Sequence, residues 1–254
     1  MKKKVLLIVL ALLVAAVTAA AARAVTPLRP APTPPDTESV LILHGAFNYP
    51  GYWWDHTDLT VAVQAHPNVD EESLAAVHQA IADWDFALRQ EFGGLLTLTD
   101  VTDQYTAKHK ADIVLHYNPT AGGTVFGGYA ICGRHSCPNV IVRSDLPRPI
   151  GHTYSPQYLY YVTMHELGHA LGLGHAQPLT ESTDLMGYAW HWSNGIVPTL
   201  SECDLAGIAI VFAWALEGVD PFPPTQPWVA CDWEPPVRGS RSAAPHGRRP
   251  ALRF

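Results

Sequence analysis

HELGHALGLGH, residues 165–175, decides how the rest of the chain is read. His165 and His169 are four apart, so on a helix they share one face and two imidazoles can reach one ion. Glu166 sits beside the first of them, near the same point without having to ligate. Gly172 follows, a residue that tolerates the left-handed backbone angles on which helices end. The chain can then turn, and His175 arrives three residues later as a third ligand. Three imidazoles leave one tetrahedral position open, the arrangement of a catalytic zinc rather than of a closed structural one. The expectation is one catalytic Zn2+ with a water in the open position. The metal raises the acidity of that water, and Glu166 takes its proton as it attacks a carbonyl. HExxH alone also occurs in helices that bind nothing. Gly172 and His175 at these spacings make coincidence a poor account.

Local chemistry upstream supports a helix here. Ser155 suits the N-cap and Pro156 the first helical position, with the helix carrying Tyr158 to Leu171. A second helix is expected from Asp70 to Phe92. Leu74, Val77, Ile81, Trp84 and Leu88 recur at threes and fours, and Gly93-Gly94 ends the run. A last helix begins at Ser201 with Asp204 in a capping-box position, and Leu205, Ile208 and Phe212 supply its buried face. Leu59–Val63, Leu95–Val101, Asp112–His116 and Val140–Val142 read as strands. Residues 118–139 hold five Gly and two Pro and read as a long irregular loop with room for an edge strand. The expected order is β-α-β-β-β-α-α.

Both ends differ in kind from this body. Lys2, Lys3 and Lys4 precede an uncharged apolar run from Val5 to Ala22, and Ala22-Arg23-Ala24 places small residues where a signal peptidase reads. Residues 1–24 are therefore expected to be a signal peptide cleaved near Ala24, with secretion as the outcome. A retained N-terminal anchor is the alternative. No later run is long and apolar enough to span a membrane. Residues 25–39 carry five prolines and read as a linker; 40–218 is the expected folded domain; 219–254 is a tail rich in Pro and then Arg. Its far end is expected to be disordered, with Cys231 able to tie down the near part.

The whole chain is 48% apolar and 15% charged, which suits a globular body. Without the leader's three Lys and one Arg, twelve basic residues face 23 acids, a formal net charge of −11. Such a body is no nucleic-acid binder. From Arg238 onward there are five Arg and no acid, a tail that reads as solvated. Cys132, Cys137, Cys203 and Cys231 allow three pairings in an oxidising compartment. Cys132–Cys137 with Cys203–Cys231 closes the shorter loops and is the expected set.

The run His165–His175 is the full extended signature of the metzincin metalloproteases, and Asp184-Leu185-Met186-Gly187-Tyr188 resembles their Met-turn. Within that group the chain resembles matrixins over roughly residues 53–215. Trp54, Leu59-Thr60-Val61, Ala82, Trp84, Ala111-Asp112-Ile113 and Leu200–Ile208 carry the likeness. The resemblance implies an α+β metzincin fold. That is a twisted mixed sheet with the active-site helix beneath a cleft, and a small subdomain after Gly172. It implies a secreted zinc endopeptidase whose protein or peptide substrate lies along an edge strand within residues 124–131. His165, His169 and His175 would hold the metal, Glu166 would be general base and then proton donor, and Met186 would underlie the site.

The chain also departs from matrixins. Ala176 replaces the usual Ser after the third His, and Cys203 replaces the first of two acids in the last helix. The loop that would supply structural zinc and calcium sites has no Asp or Glu, so neither ion is expected. Residues 25–52 contain no Cys to act as an inhibitory ligand. Tyr188 is similar to the Met-x-Tyr of astacins and serralysins, where the phenol stabilises the oxyanion. Packing within an aromatic stretch with Trp190 and Trp192 is the alternative reading. Those tryptophans suggest a hydrophobic specificity pocket. His116, His135, His152 and His191 read as structural or solvated. Two other functions fit the motif: a zinc hydrolase of non-peptide amides or esters, and an interaction module that keeps zinc for structure. The second predicts a missing base, and Glu166 is present.

Overall fold

The computed structural model describes residues 40–43, 53–67, 69–106, 108–118, 128–133, 135–143, 155–177, 184–187, 198–224 and 226–231. The expected leader and linker, Tyr188, Trp190, Trp192, His152 and His191 lie outside these residues, as does the Arg-rich end.

Strand β2 (Asp58–Ala65) pairs in parallel with β3 (Thr97–Asp100) on one side and β4 (Ile113–Asn118) on the other. Leu59, Val61 and Val63 are buried, as alternation predicts for one covered face. Strand β6 (Ser136–Arg143) continues the parallel run beside β4, and β5 (Gly128–Gly133) closes the sheet as an antiparallel edge. The order is β3-β2-β4-β6-β5. Side-chain bonds lock the register: the Thr60 amide and hydroxyl both donate to Asp112 Oδ2, at 2.8 and 2.6 Å.

Helix α1 (Glu71–Glu91) begins where Asp70 accepts the Ser73 amide. Glu71 and Glu72 in its first turn and Arg89 in its last suit the helix dipole. Gly93 and Gly94, both at positive φ, end it. Of the predicted stripe, Val77, Ile81, Trp84 and Leu88 are buried, and Leu74, in the first turn, is half-buried against the core. Helix α2 (Pro156–Ala170) has Ser155 as N-cap, and every residue from Val162 to Ala170 is buried. Two fully buried tryptophans brace its backbone: Trp84 Nε1 donates to the Met164 carbonyl and Trp54 Nε1 to that of Ala170.

A second sheet completes the fold. It joins β1 (Val40–Leu43), β7 (Leu173–Gln177) and β8 (Trp228–Ala230) in the order β7-β1-β8, all antiparallel. Helices α3 (Glu202–Val211) and α4 (Ala213–Glu217) lie between β7 and β8 in the chain. Ser201 and Asp204 form the expected capping box on α3. The two disulfides are Cys132–Cys137 and Cys203–Cys231.

Three expectations need correction. The stretch 118–139 is not simply a loop, because β5 and the first half of β6 lie in it. They form a hairpin cross-linked by Cys132–Cys137. The described edge strand, 128–133, overlaps the expected range and runs past its end at 131, while 124–127 lie outside the described residues. The folded body extends past the expected bound at 218, because β8 pairs with β1, and Cys231 ties the near part of the tail to α3 as expected.

Candidate metal centre

Helix α2 presents His165 and His169 one turn apart, with ring centroids 4.6 Å from each other. Gly172, at φ 109°, then reverses the chain into β7. Val211 packs so close to it that an added Cβ would meet Val211 methyls at 3.0 Å. Strand β7 brings in His175, whose ring centroid is 5.3 Å from that of His165 and 4.7 Å from that of His169. One ligand nitrogen from each of the three lies within 4.8 Å of the others.

The protonation of two rings follows from their partners. His165 Nδ1 lies 2.7 Å from the Leu185 carbonyl and His169 Nδ1 2.8 Å from the Leu173 carbonyl. A carbonyl only accepts, so each Nδ1 carries the proton and each Nε2 offers a lone pair. His165 Nε2 and His175 Nε2 stand 3.3 Å apart. A tetrahedral zinc with bonds of about 2.0–2.1 Å separates its ligand atoms by about 3.3–3.4 Å. The donor set therefore fits a zinc ion in chemistry, tautomer and spacing.

Glu166 is 5% exposed. Its Oε2 is buried with no hydrogen-bond partner, and burial pushes its pKa up to about 8. An unpartnered buried carboxyl is costly, and such groups concentrate at functional sites. Edge strand β5 lies against it. A Cβ on Gly128 would fall 2.6 Å from Glu166 Cγ and 2.7 Å from Oε1.

Beneath the histidines, residues 184–187 form a tight turn in which the Gly187 amide donates to the Asp184 carbonyl. Met186 is fully buried, and Gly168 makes room for it: a Cβ there would lie 2.5 Å from the Met186 sulfur. Sequence reading placed Met186 here but missed what fixes the turn. Asp184 accepts the Met186 amide at 2.9 Å and the Ser201 hydroxyl at 2.5 Å. Asp204 accepts the Ser201 amide at 2.9 Å. Burial, and then the charge of Asp184 beside it, push the Asp204 carboxyl well above the usual carboxylate range. The sequence signal was the capping box; nothing in it said that the capping acid would also face the turn.

The other described histidines stay outside. His116 bonds the Pro138 carbonyl, and His135 the Trp53 carbonyl. His56 pairs with Asp55 and Asp112. Among the described residues, His165, His169 and His175 are the one group of three or more His, Cys, Asp or Glu side chains placed to hold a metal.

A family model described as matrixin matches residues 52–213, more than half of the chain. No curated protein matches it.

Proposed function

We propose, on the premise that the chain belongs to the matrixin family of zinc metallopeptidases, that it is a secreted endopeptidase with Glu166 as general base. The observation that carries this reading is the pairing of two features. Three imidazoles have the spacing of a zinc site, and Glu166, next in sequence to one of them and with its buried Oε2 lacking a partner, packs against β5, which is an edge of the sheet among the described residues. A zinc ion held by His165, His169 and His175 would supply Lewis acidity to the water and to the scissile carbonyl.

The chain's own residues do the rest. Main-chain groups of β5 pair with an extended peptide, as an unpaired edge invites. Glu166 takes a proton as the water oxygen bonds to the carbonyl carbon. When the C–N bond breaks, Glu166 returns that proton to the departing amine nitrogen. The buried turn at Met186 and the carbonyls of Leu185 and Leu173 hold two imidazoles in the required tautomer. Tyr188 is the proposed donor to the carbonyl oxygen as it gains charge. Tyr188→Phe should then lower kcat about 100-fold with KM little changed; an unchanged kcat assigns Tyr188 to packing.

The test is cleavage of casein by the chain, beside Glu166→Ala and a chelator-treated sample. The expected result is cutting by the parent alone, with Glu166→Ala still holding one zinc. A parent that binds zinc and cuts neither casein nor a broad peptide library would overturn the reading.

A further inference from the structure

Two of the three ligands ride on one helix, which fixes them relative to each other. The third, His175, rides on a strand of five residues, and strands that short have no stability of their own. The position of His175 therefore depends on what holds β7. One neighbour is the turn at Met186, whose carbonyl accepts the Ala176 amide at 2.9 Å. The other is β1, paired through Val40↔Gln177, Leu41↔Ala176 and Leu43↔Leu173.

Strand β1 is held in turn. It pairs with β8 through Val40↔Ala230, Leu41↔Val229 and Ile42↔Trp228. The residue after β8, Cys231, is bonded to Cys203 on α3. Helix α3 lies directly on both strands: a Cβ on Gly207 would sit 2.7 Å from Leu173 and 2.9 Å from Leu41. Gly174, next to His175, admits β1 just as closely, since a Cβ there would meet the Ile42 carbonyl at 2.8 Å. Residues 40–43 and 228–231 both lie outside the stretch 52–213 that matches the family model. The two segments that flank the matched stretch thus form a clasp behind the strand that carries the third ligand.

We infer that β1 and β8, closed by Cys203–Cys231, are a positioning element for His175 and thereby set the metal affinity of the site. The inference rests on the zinc reading above. The carbonyl of Leu173, at the start of β7, also orients His169, so a loosened β7 disturbs two ligands and not one. A carbonyl that hydrogen-bonds a metal-ligating His, as that of Leu173 does, is worth about 10–100-fold in metal affinity, which bounds what a displaced β7 can cost.

The experiment compares three variants in the otherwise intact chain: Cys203→Ser/Cys231→Ser, Leu41→Ala, and Leu98→Ala as a control. Leu98 is buried in β3, at the opposite edge of the five-stranded sheet from β5. Zinc affinity is read by chelator competition, metal-free Tm by thermal melting, and ligand geometry by the visible spectrum of the cobalt-substituted protein. The expected result is a loss of zinc affinity of about 10–100-fold and an altered cobalt spectrum in the first two variants. Leu98→Ala should lower Tm while leaving affinity and spectrum alone. Unchanged zinc affinity in the serine pair and in Leu41→Ala overturns the clasp and leaves the metal reading standing. So does a loss in Leu98→Ala that matches theirs at equal loss of Tm. A parent that binds no zinc overturns both.

Discussion

The five-stranded and three-stranded sheets both meet the active helix, but they are built in opposite ways. The larger one takes β2 to β6 from a single stretch, residues 58–143, and four of its strands run in parallel. The smaller one gathers strands of four, five and three residues from the two flanks and the middle of the chain. Its closure joins residues 40–42 to 228–230, a long-range contact, and a disulfide bonds the residue after β8 to α3. The larger sheet sets the wall against which Glu166 lies; the smaller one carries His175. Glu166, on α2, thus packs against one sheet, while His175 belongs to the other.

A pair of glycine substitutions tests that division most severely. Gly128→Ala should force β5 or the Glu166 side chain to shift, because the added methyl would contact both the carboxyl and the Ile141 carbonyl. Displacing the base by about 1 Å costs on the order of 100-fold in kcat, with zinc affinity retained. Gly168→Ala pushes instead on the Met186 sulfur. It should cost about 1–3 kcal/mol of stability by overpacking and weaken zinc binding along with cleavage. If kinetics and metal titration show both variants losing zinc equally, base and ligands share one support and the division fails.

A smaller effect comes from the acid under the turn. Burial and the neighbouring Asp184 raise the folded pKa of Asp204 above its unfolded value of about 4. The unfolded chain then holds fewer protons, and stability falls as pH rises from about 4 toward the folded value. Asp204→Asn cannot ionise. Its Tm should stay more nearly level between about pH 5 and 8 than the parent's, measured metal-free. An identical slope would mean that Asp204 is already ionised in the fold.

The smallest expected effect is at the entrance to α2. Ser155→Ala removes the side chain that accepts the Tyr158 amide. It should cost about 1 kcal/mol of stability, seen in urea titration, and leave zinc affinity unmoved. A loss of affinity would show that the helix start, and not only its buried end, positions the histidines.

Legibility in the sequence follows the same division. Helix α1 announced itself through its apolar stripe, its Asp70 cap and Gly93-Gly94. β2, β4 and the second half of β6 did so through runs of branched residues. Each of these signals is local. Val40–Leu43 and Trp228–Ala230 are too short for a period to be counted and sit among prolines. Leu173–Gln177 reads as turn and ligand rather than as strand. What makes these segments strands is their pairing with one another, which no local window contains. At the site, the spacing within 165–175 located the three histidines, and Met186 followed from its place after them. Asp184 and Gly128 did not, because their importance lies in what another part of the chain brings against them. Tyr188 lies outside the described residues, so its role rests on the sequence and on the test given above.

The register Val40↔Ala230 has a practical consequence. The first described residue, Val40, and one of the last, Ala230, lie side by side at one end of one ribbon. A unit with its two leads adjacent behaves as a cassette: it can be spliced into an exposed loop of a host protein without stretching either. The same adjacency makes a circular permutant reasonable, with the chain after Cys231 joined to Val40 by a short linker, so that Cys203–Cys231 is kept, and new ends opened elsewhere on the surface.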